Sequence, residues 1–322
     1  MDTISNIQGM TPPRKLLSGH LRGTLNGSHT SVTDETYAEC WSLDQTGNWQ
    51  KYLQDDDGSG WDLNQSRTAN TVNEITGISA STGPTWVTPA YSKAGNMTTM
   101  PQPADPTASF TATYDAWNRL VKLVDDTTTH TIASYQYDGA KRRVVEQTYT
   151  AGSLEETRHC YFTDPSKWQV IEERLDSSTD PEQQHIWGLR YIDDILLRDR
   201  DTNNNGTLDE RLYGLQDANW NVTCLIDSSG AAQERFAYSA YGQPVFLDAS
   251  FAPQTSSSSD WETLYAGYRW DNHNGLFNAR NRVLTHVLGT WIQRDPLGLS
   301  EGVNCYWYVN LSPINNVDPL GL

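Results

Sequence analysis

The chain has 322 residues, 37% of them hydrophobic, and a mean hydropathy of −0.63. That length can bury a sizeable core, yet the apolar content is low for one compact globule and fits a large, polar-surfaced β-architecture better. A formal net charge of −17 sets most of the surface against phosphate backbones and anionic headgroups, which argues against nucleic acid and membrane surfaces as partners; the acidity reads first as a solubility device and second as an attraction for cations or a basic client protein.

The opening MDTISNIQGMTPPRKLL carries no apolar h-region of a secretory signal, and no stretch of the chain approaches the roughly 18 apolar residues of a membrane span. Residues 1–36 show no defined pattern. From Tyr37 to residue 233, turn signals alternate with short β-rich runs. Gln45-Thr46-Gly47-Asn48, Lys93-Ala94-Gly95-Asn96, Asp138-Gly139, Asn203-Asn204-Asn205-Gly206 and Asp227-Ser228-Ser229-Gly230 supply positive φ or Asx-type turns. Between such signals, Leu120 to Val124, Thr131 to Tyr137, Arg143 to Tyr149 and Ile192 to Leu197 read as hairpin strands. Residues 54–70, 98–109 and 249–260 are rich in Asp, Gly, Ser, Thr and Pro and read as loops or hairpin tips. No segment sustains apolar residues at i, i+3, i+4 and i+7 over three turns, so the predicted fold class is all-β. The 12 Trp and 16 Tyr against 6 Phe suit half-buried sheets, because these rings pack while a polar edge stays wet. Trp41, Trp49 and Trp61 read first as strand packing and second as sugar-stacking platforms.

Four cysteines, Cys40, Cys160, Cys224 and Cys305, lie far apart with no C-x-x-C pair and read as structural. His159, His185, His273 and His286 have no spacing suited to a triad or a metal. One stretch has calcium-loop spacing: Asp201, Asn203, Asn205, Thr207 and Asp209 place oxygen ligands at alternate positions around Gly206. Leu212 stands where the bidentate Glu belongs and the flanks look like strands. An Asn/Gly-rich hairpin tip and a weak Ca²⁺ site are both open readings, and no other cofactor is implied.

An aromatic residue followed by a turn and a hydrophobic pair recurs along the chain, as in Tyr91-Ser-Lys-Ala-Gly-Asn-Met97, Tyr114-Asp-Ala-Trp-Asn-Arg-Leu120, Tyr135-Gln-Tyr-Asp-Gly-Ala-Lys-Arg142 and Tyr238-Ser-Ala-Tyr-Gly242. The pattern resembles the tyrosine-aspartate (YD) repeat of Rhs and teneurin-like proteins. Residues 234–322 are more distinctive. Ala266-Gly-Tyr-Arg-Trp-Asp271, Gly275-Leu-Phe-Asn-Ala-Arg-Asn-Arg282 and Gly289-Thr-Trp-Ile-Gln-Arg-Asp-Pro-Leu-Gly298 resemble an Rhs repeat-associated core, with Val283-Leu284 in place of the usual Tyr-Tyr and Thr290 in place of the usual Arg. The resemblance implies hairpins that coil into a full or partial β-shell around a protein cargo. It further implies a secreted or cell-surface setting and association with a larger Rhs protein or a secretion apparatus.

The pentapeptides Asp295-Pro-Leu-Gly-Leu299 and Asp318-Pro-Leu-Gly-Leu322 are identical and flank the aromatic run Tyr306-Trp307-Tyr308, which reads as a strand. A single Asp-Pro-x-Gly is a turn: Asp accepts a hydrogen bond, Pro presets φ and Gly tolerates the exit. Two copies bracketing a strand allow the carboxylates to meet and share a proton. Rhs cores of this pattern are described as autoproteolytic, so the resemblance implies Asp295 and Asp318 as the catalytic pair, Arg282 as their cationic partner, and Leu322 as the residue after which the family cuts. The chain stops at Leu322, which makes it by expectation a cleavage product or an end-piece without cargo. The alternative readings are an adhesion or carbohydrate-binding β-module without catalysis, and a glycosidase, for which no carboxylate pair stands out.

Overall fold

The computed structural model describes residues 18–163, 167–300 and 302–322. Among these there is no α-helix. The chain forms three antiparallel sheets: five strands between Gly19 and Thr82, fifteen between Ala90 and Gln254, and four between Arg269 and Trp291. Within each sheet every strand pairs with its sequence neighbours, so each sheet is an antiparallel meander in which two-stranded units follow directly from the hairpin turns.

The repeated motif builds these hairpins. In Tyr114-Asp115-Ala-Trp-Asn118-Arg119-Leu120 the tyrosine ends one strand and pairs with Leu120 across the tip. Asp115 Oδ1 accepts the amides of Trp117 and Arg119, Asn118 takes φ +64, and Arg119 Nε returns to Asp115 Oδ2 at 2.6 Å. Asp138 and Arg142 repeat the arrangement, with Lys141 at φ +69. The tyrosine joins each unit to the one before it. Tyr114 donates to the Met97 carbonyl, Tyr137 to Leu120 and Tyr238 to Val222, each 16 or 17 residues upstream. A half-buried ring with a satisfied hydroxyl thus fixes the stacking of successive hairpins.

Several predicted boundaries shift. Leu63–Ala69 is a strand inside the predicted 54–70 loop. Its inward residues are Leu63, Gln65 and Arg67, so the period-2 hydrophobic signal is missing because two of three core positions are polar. Met97–Pro101 likewise occupies the start of the predicted 98–109 loop. The strand expected at Ile192–Leu197 runs Ile195–Arg200 instead, since the carboxylates of Asp193 and Asp194 turn to Arg280 and Arg190. Tyr306-Trp307-Tyr308 is no strand. It makes one isolated bridge, Thr290 to Trp307, and then enters a turn with Val309, Asn310 and Leu311 all at positive φ. The first sheet starts at Gly19, inside the segment 1–36; residues 1–17 lie outside the described ones.

The core lies where the segment 261–311 meets the two larger sheets. Trp261, Tyr265, Tyr268, Phe277, Trp291 and Tyr308 are almost fully buried. Arg67 reaches from the first sheet to the carbonyls of Leu288 and Val287 while lying against Trp49. Tyr135, from the long sheet, donates to Asp271 at 2.7 Å. This packing positions the C-terminal turns.

Candidate active site at the two Asp-Pro-Leu-Gly-Leu turns

Both pentapeptides adopt the same turn. Asp295 Oδ1 accepts the Leu297 amide at 2.7 Å, and Asp318 Oδ1 the Leu320 amide at 3.3 Å. Each Asp carbonyl receives the Gly amide, and Gly298 and Gly321 take φ +68 and +63. Their surroundings differ. A Cβ on Gly298 would meet nothing within 4 Å, whereas one on Gly321 would stand 2.3 Å from the Ala279 carbonyl oxygen and 3.0 Å from the Arg282 nitrogen.

Arg282 stands between the turns, at the start of the strand Arg282–Thr285 and only 3% exposed. Its Nη2 lies 3.2 Å from Asp318 Oδ2 and 3.4 Å from Asp295 Oδ2. Nε donates to the Gly321 carbonyl at 2.8 Å and Nη1 to the Cys305 carbonyl at 3.3 Å, and the guanidinium lies 4.5 Å over the Trp291 ring. The two aspartates therefore share one nitrogen of one arginine. A planar fork held on four sides is well suited to fixing two carboxylates in a set geometry.

Each aspartate is also anchored through its backbone. The Asp295 amide donates to the Cys305 carbonyl at 2.9 Å. The Tyr268 hydroxyl accepts the Asp318 amide at 3.0 Å, donates to the Asp318 carbonyl at 2.7 Å, and accepts from the Tyr308 hydroxyl at 3.2 Å. Burial pushes the Asp318 carboxyl above its ordinary range, against the opposing pull of the Leu322 amide and the Arg282 guanidinium. Asp318 thus holds its proton more readily than an ordinary aspartate and faces a second carboxylate across one guanidinium, the composition of a general acid-base pair. The cluster opens onto a cavity of about 510 Å³ whose lining includes Trp307, Asn310 and Leu322.

The linear motifs name Arg282, Asp295 and Asp318, but Tyr268 enters as part of Gly-Tyr-Arg-Trp-Asp with no role attached, and Trp291 likewise. The other expected sites lie elsewhere. Asp201 and Asp209 sit on the tip joining Ile195–Arg200 to Glu210–Gln216. There Asp201 accepts the amides of Asn203, Asn205 and Gly206, while Asp209 accepts from Thr202 and the Asn203 side chain. Asn205 Oδ1 takes the Thr207 amide at 2.8 Å. The loop's oxygens are turned to its own donors. Trp41 and Trp49 are buried against Tyr52 and Tyr241 and are no surface platform; Trp61 is exposed.

No family model matches the chain. Over 285 residues, 87% of its length, it is 27% identical to the tRNA3(Ser)-specific nuclease WapA of Bacillus spizizenii, and over 98 residues 31% identical to double-stranded DNA deaminase toxin A of Burkholderia cenocepacia. The chain spans about 11% of the first of these and 7% of the second. Among solved structures, it matches the Photorhabdus luminescens Tc holotoxin pore with a TccC3 variant at a TM-score of 0.70 and 16% identity, and a TcdB2-TccC3-TEV structure at 0.68 and 17%. These matches cover 96% of this chain and 15% of theirs, and they give it the same all-β fold.

Proposed function

We propose that the chain is part of a β-shell that retains a polypeptide cargo, and that the Asp295–Arg282–Asp318 cluster cuts the peptide bond following Leu322. One observation carries the reading. The Leu322 amide is bound by Asp318 Oδ1 at 3.1 Å and Leu322 borders the cavity over the cluster, so the residue whose carbonyl is attacked is already seated beside the two carboxylates. Asp295 takes a proton from a water, whose oxygen adds to the Leu322 carbonyl carbon. Asp318 supplies its proton as the C–N bond to the following residue breaks, leaving a carboxyl on Leu322 and a free amine on the cargo. Arg282 holds the pair together and limits their repulsion.

The fold shared with Tc holotoxin and TccC3-containing structures, and the partial similarity to a larger nuclease and a larger deaminase toxin, support a place within a bigger toxin assembly. A buried aromatic segment packed onto both large sheets suits the closing of one end of such a shell. The test is a chain extended beyond Leu322 and followed by intact mass. Release at Leu322 that disappears in Asp295→Asn and Asp318→Asn is the expected result; an uncut extension leaves only the structural role.

A further inference from the structure

The main chain of the last pentapeptide is read by three consecutive residues of one turn. Arg280 Nη1 donates to the Pro319 carbonyl. Asn281 donates both its amide, at 3.2 Å, and its Nδ2, at 3.0 Å, to the Leu320 carbonyl. Arg282 Nε takes the Gly321 carbonyl. One step along the turn matches one step along the segment. The turn is built for this: Arg280 holds φ +62, a conformation that non-glycine residues seldom adopt, and its guanidinium is gripped from behind by Asp193, whose side chain is 1% exposed. Asp193 is fixed in turn, since its carbonyl accepts Gln216 Nε2 at 2.8 Å.

We propose that Arg280 and Asn281, backed by Asp193, form a register clamp: positioning residues that hold the carbonyls of Pro319 and Leu320, and so select which bond is presented to the carboxylate pair. The clamp reads carbonyls, so it recognises the turned segment by its backbone, and the close approach of Ala279 and Arg282 admits only Gly at the third position. The bond-selecting part rests on the cleavage reading above; the seating of the segment does not.

Two assays separate them. On the unextended chain, carboxypeptidase trimming reads seating directly. The native protein releases Leu322 and Gly321 slowly, and Arg280→Met, Asn281→Ala and Asp193→Asn release them about tenfold faster, with Arg280→Lys in between. On the extended chain, the mass of the product reads register. Arg280→Met is expected to cut about tenfold or more slowly and to scatter the cut over neighbouring bonds, while Arg280→Lys returns it to Leu322. A purely structural lesion lowers yield without moving the cut. Variants trimmed at the native rate, or cut at the native rate and bond, overturn the clamp. An uncut native extension with clamp-dependent trimming overturns the cleavage reading alone.

Discussion

At the scale of single residues, Gly298 and Gly321 form a controlled pair. They share a sequence context, a turn and nearly the same φ, so an alanine at either position carries the same left-handed backbone penalty, about 1 kcal/mol. Only Gly321 adds a collision with backbone atoms, which cannot rotate away as a side chain can. Gly298→Ala is therefore expected to lower the thermal transition slightly and leave the terminal segment seated. Gly321→Ala is expected to unseat it, seen as rapid carboxypeptidase trimming and loss of cutting in the extended chain. Asp318 gives a second prediction. Burial raises its pKa, and the proposed mechanism uses its acid form, so cutting in the extended chain falls as pH rises through that pKa. A rate that keeps rising with pH would remove Asp318 from the acid role.

At the scale of elements, the hairpin unit rests on its tyrosine. Tyr137→Phe deletes a hydroxyl while keeping the ring, and leaves the Leu120 carbonyl without that donor; the expected cost is about 1 kcal/mol, measured as a shift in the urea midpoint. This tip chemistry is the part of the fold most open to sequence reading. Tyr, Asp, a residue or Gly at positive φ, and Arg each do a local job, so their order along the chain is their order in space. The strand Leu63–Ala69 is opaque for the opposite reason. Gln65 is buried beside Arg67, whose Nε it accepts, and Arg67 is held by the carbonyls of residues 287 and 288 far along the chain, which no local pattern encodes. The run Tyr306-Trp307-Tyr308 has strand composition, yet Tyr306 is drawn to the Gly95 carbonyl and Tyr308 to the Tyr268 hydroxyl, so tertiary contacts set its shape. In the site, the linear motifs name Arg282 and the two aspartates that converge on one of its nitrogens. The clamp stays hidden because Arg280 and Asn281 bind backbone carbonyls, which leave no mark in the sequence of the segment they hold.

At the scale of the whole molecule, the C-terminal segment is docked on the long sheet by charge as well as by rings. Glu173, in the strand Val170–Leu175, is fully buried and receives Arg158 Nη1 at 2.8 Å, His185 Nε2 at 3.1 Å and, from the small sheet, Arg269 Nη2 at 2.9 Å. Burial pushes its pKa up, but the two arginines outweigh burial and hold it well below the ordinary glutamate value. A depressed carboxylate pKa contributes stability above the unfolded value, about 4.3, and loses it as pH falls. Arg269→Met removes one of the two guanidinium partners and is expected to cost about 3–5 kcal/mol at neutral pH, since the remaining charge stays buried with less compensation. Protonating Glu173 relieves that penalty, so from about pH 7 to about pH 4.5 the variant loses less stability than the native chain. Adding Glu173→Gln to Arg269→Met removes the stranded charge and is expected to recover part of the loss at neutral pH, in urea midpoints measured at both pH values. Equal pH slopes for the native chain and Arg269→Met would mean that the rings alone, without the ion pair, hold the segment in place.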